Sequence, residues 1–163
     1  MELIKNLKEL SLAKNLFLAI VGTILLTISA KIKIPFWPVP MTMQTFVVLL
    51  LGVLYGWKLG LFTVSLYLLE GIAGLPVFAG TPEKGVGFIY FTGPTMGYLI
   101  GFLISVSLAG FFTFNNNFAK NFIKLIFSVS FIYILGLIWL GSLIGWDKPI
   151  FSLGAKPFLL AEI

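Results

Sequence analysis

The sequence predicts an all-α membrane protein: a single bundle of transmembrane helices, five of them complete and a sixth beginning near the C-terminus. Three observations predict this. Of 163 residues, 59% are hydrophobic and only 10% charged, against about 25% charged in an average soluble domain. Uncharged apolar runs recur, several approaching the roughly 20 residues of a bilayer span. Between them lie proline- and glycine-rich stretches that no helix crosses.

The same composition narrows function. The net charge of +5 comes from lysines alone, and these fall in the gaps between apolar runs. That placement reads as membrane-surface anchoring, not as a basic face for nucleic acid. Without Cys or His, the chain lacks disulfides, thiol nucleophiles, Cys/His metal sites and the commonest general base. It has no Walker-type phosphate loop, no Gly-x-Ser-x-Gly and no His-Glu-x-x-His. An enzyme is therefore not expected, nor a cofactor; ATP that drives transport would be hydrolysed by another subunit.

One membrane domain, residues 1–163, is expected. Met1 to Asn15 reads as an amphipathic lead-in carrying Lys5, Lys8 and Lys14, and the first helix covers about 12–30. Small or hydroxyl residues, Ala19, Gly22, Thr23, Thr27 and Ala30, recur along it and permit close backbone approach, either within the chain or to a partner. Ile34 to Gln44 follows. Pro35, Pro38 and Pro40 push their predecessors into extended conformations, while Phe36, Trp37, Val39, Met41 and Met43 make the stretch apolar. Non-helical backbone beside membrane helices belongs where it is buried or lines a cavity, so this stretch fits a lid over a small molecule. It equally fits an interfacial connector with Trp37 as anchor.

Helices over 42–55 and 58–71 come next, with Gly52, Gly56 and Gly60 four apart. Residues 71–93 hold six glycines and two prolines, so they form a loop. Pro94 opens the fourth helix, 94–114, with Thr92 near its N-cap, and Gly93, Gly97 and Gly101 line its start. Its N-terminus would favour a carboxylate or carbonyl oxygen. The asparagines 115–117 end it, and a fifth helix covers 121–145. Trp146-Asp147-Lys148-Pro149 breaks that helix, and Pro157 opens the last, of which 157–163 are present. Lysine counts barely separate the two sides, but Lys5, Lys8 and Lys14 favour a cytoplasmic N-terminus. The proline lid and the glycine loop then face outside and share one pocket.

With these stretches in view, the sequence resembles the BioY family, the biotin-binding S-components of energy-coupling-factor (ECF) vitamin transporters. The resemblance is carried in order by Ile34-Pro35, Pro38-Val39-Pro40-Met41-Thr42-Met43-Gln44, Gly74-Leu75-Pro76-Val77-Phe78-Ala79-Gly80, Gly93-Pro94-Thr95-Met96-Gly97-Tyr98, Gly136 to Leu140, and Pro157-Phe158. It implies a six-helix bundle of the S-component type in a bacterial or archaeal plasma membrane. Such a protein captures biotin outside and delivers it inward with a transmembrane T-component and two ATPases. The small-residue face Ala19, Gly22 and Thr23 would dock that module. Gln44, Thr95 and Tyr98 match family binding positions; Leu99 stands where some relatives have arginine, and Met96 replaces a small residue. Glu162 matches a family aspartate whose lysine, three residues on, lies past the end of this chain, so a fragment or early-terminated product is expected.

Biotin suits the residue set. Trp37, Phe78, Tyr90 and Tyr98, with Phe36 and Phe91, would wall its rings; Thr42, Gln44 and Glu162 would serve the ureido group; Lys84 or the fourth helix N-terminus would meet the carboxylate. Other readings are an S-component for riboflavin or thiamine, and a structural membrane protein whose glycine stripes only pack helices.

Overall fold

The computed structural model describes residues 2–34, 39–83, 85–114 and 116–145. Trp37, Lys84, Glu162 and the expected helix over 157–163 lie outside them. Among the described residues are four helical segments: α1 (Glu2–Lys31), α2 (Gln44–Ile72), α3 (Met96–Phe111) and α4 (Phe118–Ile144). A 3-10 turn, Gly87–Thr92, precedes α3.

The boundaries depart from expectation for local reasons. α1 is helical from Glu2 because the lead-in contains no breaker and simply propagates the helix. α3 starts at Met96, not Pro94, since the 3-10 turn runs to Thr92 and Gly93 is extended. Thr92 is no cap; its hydroxyl donates to the Ile89 carbonyl, and Thr95 holds the N-cap position. α3 ends at Phe111 because Phe112 turns extended (φ −72, ψ 134), ahead of the asparagines. Asn117 instead starts α4, its side chain accepting from the Lys120 N–H at 3.1 Å.

α2 is two helices, as the sequence predicts, but with a single non-helical residue between them. Gly56 lies at φ 74, ψ 169, a conformation open essentially to glycine alone. A Cβ on Gly60 would lie 3.5 Å from the Gly52 Cα, whereas eight residues of continuous helix rise about 12 Å. The chain therefore doubles back at Gly56 into two antiparallel arms. α3 runs down beside them until Gly110 meets the Gly56–Trp57 backbone, and α4 returns, with Gly101 against Ile132 and Gly136 against Tyr98. The result is an up-and-down bundle whose helices approach at glycines, as membrane packing favours. By length and composition Ser11–Lys31 and Phe118–Ile144 could each cross a membrane, Gln44–Ile72 reaches such a length only along both arms of its hairpin, and Met96–Phe111 is a shorter apolar helix.

This packing corrects one expectation. Ala19, Gly22 and Thr23 are buried inside the chain, Ala19 fully and Thr23 to 2% exposure, so they offer no docking face. A Cβ on Gly22 would come within 2.5 Å of the Thr63 side chain, and Tyr55 donates its hydroxyl to the Leu18 carbonyl beside it. The small residues serve the contact between α1 and α2. The face α1 leaves open carries large apolar side chains, Leu16, Phe17, Ile20, Ile24 and Ile28 among them.

Candidate functional site

The stretch before α2 folds as a strap. Strands β1 (Lys33–Ile34) and β2 (Met41–Thr42) pair antiparallel, Lys33 opposite Thr42 and Ile34 opposite Met41. β2 begins directly after Pro40, which has no N–H to give a ladder. The Met43 N–H then bonds the Ile32 carbonyl at 3.1 Å and hands the chain into α2.

Opposite the strap lies the loop 73–86, irregular and largely buried from Val77 to Thr81. Buried irregular backbone must find partners for its carbonyls. Here three side chains from other elements provide them. The Lys31 ammonium, at the end of α1, donates to the carbonyls of Pro76 (2.9 Å), Phe78 (3.1 Å) and Thr81 (3.2 Å). The Tyr67 hydroxyl donates to the Val77 carbonyl at 3.0 Å, and the Tyr90 hydroxyl to the Ala79 carbonyl at 2.8 Å. Phe78 plugs the space beneath, edge-on to Tyr67 (centroids 5.2 Å) and stacked on Tyr90 (4.7 Å). Gly71 is required below it, since a Cβ there would run into the Phe78 ring.

The strap, the start of α2, Ala79 of the loop, Tyr90, α3 and α4 line an open cavity of about 390 Å³, within the range that holds small ligands. Thr42, Gln44, Tyr90, Thr95 and Tyr98, singled out in the sequence, all line it. Phe78 does not: at 1% exposure it stands behind the wall and supports Tyr90. Phe91 is likewise in the core cluster and not on the lining. Leu99, where relatives can carry arginine, does line the cavity.

Several lining residues carry no sequence signal of their own. Phe46, Phe102 and Ile132 supply apolar surface, and Tyr133 stands across from Tyr98, ring centroids 6.5 Å apart. Tyr133 could have been found from its place one turn before Gly136, whose missing side chain admits the Tyr98 ring. Among the described lining residues none is charged, so the cavity offers apolar surface with a few neutral polar groups. Burial raises the Tyr90 phenol above its ordinary 10.0, with a hydrogen bond to Thr95 pulling the other way. Tyr90 thus stays a neutral donor.

Gln44 is a polar lining residue held at both ends of its amide. At 3% exposure it sits on the cavity wall, its Nε2 donating to the Tyr67 hydroxyl at 2.7 Å, while the Thr42 hydroxyl donates to its Oε1 at 3.2 Å. Gln44 thus sets a neutral amide, bonded at both ends, on the wall of a cavity with aromatic lining.

The BioY family model matches residues 4–163. This chain belongs to the BioY family. It is 34% identical over 151 residues to a "Probable biotin transporter BioY" of Pyrococcus horikoshii, covering 93% of this chain and 88% of that one. It is 35% identical over 151 residues to the "Biotin transporter BioY" of Thermotoga maritima, covering 92% and 88%. A solved structure, of the S-component for biotin from an ECF-type ABC transporter, superposes with a TM-score of 0.74 at 30% identity, over 91% of this chain and 82% of that one. The BioY family is one of transporter subunits, not enzymes, and with its apolar helices this member is a membrane protein.

Proposed function

We propose that this BioY-family chain is a biotin-binding S-component, which captures biotin outside the cell and delivers it inward with an ECF module. The observation that carries the reading is the cavity lined by the Val39-Pro40-Met41-Thr42-Met43-Gln44 strap, with Gln44 on its wall. An apolar aromatic chamber suits the fused rings, and the fixed amide suits the ureido group. ATP is spent by two ATPase subunits bound through a transmembrane T-component, and this chain needs no cofactor of its own. That module engages a surface other than the buried Ala19, Gly22 and Thr23.

The helices cross the membrane repeatedly with the N-terminus in the cytoplasm. Among the described residues, Lys14, Lys58, Lys120 and Lys124 lie at or near the Gly56 end of the bundle, against Lys31 and Lys33 at the cavity end. The positive-inside rule puts the end richer in lysine in the cytoplasm, so the cavity opens outward. The test is a thermal-shift titration in detergent with biotin, riboflavin and thiamine. Biotin alone should stabilise the protein, by about 2.7 kcal/mol at 100 times its dissociation constant. A shift with riboflavin or thiamine instead would assign another vitamin, and no shift would leave a structural role.

A further inference from the structure

Tyr67 lies 23 residues from Gln44 in sequence, is fully buried, and does not line the cavity. Its hydroxyl nonetheless governs what the cavity reads. A phenol has one proton, and a backbone carbonyl can only accept. The Tyr67 proton is committed to the Val77 carbonyl at 3.0 Å, so toward Gln44 the same oxygen can only accept. Gln44 must then turn its NH₂ to Tyr67, as the 2.7 Å contact has it, and its carbonyl toward Thr42, whose hydroxyl donates at 3.2 Å. The amide orientation thus follows from the hydrogen-bond network and not from the similar shapes of the amide's two ends. Every bond in the chain Thr42 to Gln44 to Tyr67 to Val77 runs in one direction, and the carbonyl of the 73–86 loop fixes that direction.

Against the described residues each end of the amide keeps spare capacity: one N–H on Nε2 and one lone pair on Oε1. We propose that Tyr67 is a specificity-determining positioning residue, which without touching the ligand locks Gln44 so that the cavity presents a donor and an acceptor side by side. That pair complements a ring edge carrying a cis N–H beside a C=O, the edge of a cyclic urea. The inference rests on the biotin reading for its ligand and states what selects it. A ligand whose carbonyl is replaced by a donor meets the Gln44 N–H with its own N–H and is refused, because a fixed polar site left unpaired rejects its analogue strongly.

The experiment compares dissociation constants of the full chain, purified in detergent, for biotin, desthiobiotin and 2-iminobiotin. Desthiobiotin keeps the cyclic urea; 2-iminobiotin carries a guanidinium-like group with no acceptor. The wild type should prefer biotin to 2-iminobiotin by about 100-fold or more, as a hydrogen-bonding site does. In Tyr67→Phe the amide is free to turn over, and that preference should shrink by about tenfold. The ratio of biotin to desthiobiotin should stay within about twofold, since both present the same edge. Ratios within one preparation are insensitive to the folded fraction, so a merely structural role for Tyr67 would leave both unchanged. Selective ¹⁵N labelling of Gln44 gives a readout on the wild type should Tyr67→Phe not fold: of its two amide protons, the one held by Tyr67 should exchange with solvent several-fold more slowly. Wild-type binding with an unaltered 2-iminobiotin ratio in Tyr67→Phe, or equal exchange of the two protons, overturns the inference alone. A wild type that binds no biotin overturns the ligand reading and the inference with it.

Discussion

The amide of Gln44 and the hydroxyl of Tyr67 meet at 2.7 Å across the α2 hairpin, one at its first residue and the other near its last turn. Only the reversal at Gly56 allows this. The sharp turn that folds α2 on itself is thus also what assembles the polar part of the cavity wall.

Removing the amide should therefore affect binding more than folding. Gln44→Ala deletes the two groups proposed to meet the ligand and leaves Tyr67 still bonded to Val77. Neutral hydrogen bonds contribute about 0.5–1.5 kcal/mol each, so biotin affinity should fall by roughly 10- to 100-fold. Isothermal titration on the purified protein checks this. A dissociation constant within twofold of wild type would place the ligand elsewhere.

Lys31 ties the end of α1 to the 73–86 loop through three carbonyls. Lys31→Met keeps much of the chain length but returns those acceptors to solvent or leaves them unpaired. A cost of about 1–3 kcal/mol is expected. Hydrogen exchange read by mass spectrometry should show the loop amides from Val77 to Thr81 exchanging faster, with the Gly56 end unchanged. Uniform exchange across the chain would mean that the loop is held by Tyr67 and Tyr90 alone.

Two glycine substitutions separate conformation from packing. At Gly56 a Cβ would meet nothing within 4 Å, but φ is 74°, so Gly56→Ala should cost about 1–3 kcal/mol of strain while leaving ligand affinity intact. At Gly136 the backbone is helical, but a Cβ would run into the Tyr98 ring on the cavity wall. Gly136→Ala should cost a similar 1–3 kcal/mol from overpacking, roughly, and should weaken biotin binding as well. Paired thermal melts and titrations distinguish the two, and equal effects on binding would contradict the placement of Tyr98.

The same glycines mark how far the sequence could be read. Their spacing announces close approach, but not to what. Gly52, Gly97 and Gly101 proved to be internal helix contacts, and the Ala19-Gly22-Thr23 face, which has the same chemistry as a docking surface, turned out to pack on Thr63 and Tyr55. The proline strap was legible because a missing N–H is a local fact, and it carried Thr42 and Gln44 into the cavity with it. Tyr67 was not legible. A lone tyrosine in an apolar helix has no local signature, and its meaning comes from a glutamine 23 residues earlier and a carbonyl ten residues later. Phe78 failed in the opposite sense: an aromatic beside a Gly-Pro loop looks like ligand surface, yet its ring is consumed by packing on Tyr67 and Tyr90.

Tyr90 yields a prediction in pH. Burial holds its phenol above the ordinary value of 10.0, so above that pH the unfolded chain has lost a proton that the native chain retains. Unfolding then releases a proton, and stability falls as pH rises, whereas below pH 10 both states are protonated and Tyr90 contributes no slope. One proton corresponds to about 1.4 kcal/mol per pH unit. In Tyr90→Phe that contribution disappears. Chemical or thermal denaturation between pH 7 and 11 should show wild type and variant running parallel up to about pH 10. Above it the wild type should lose stability more steeply, by at most that one-proton slope. Parallel curves over the whole range would mean that the Tyr90 hydroxyl reaches water and is not held by the Ala79 carbonyl, which would remove the support the 73–86 loop draws from it.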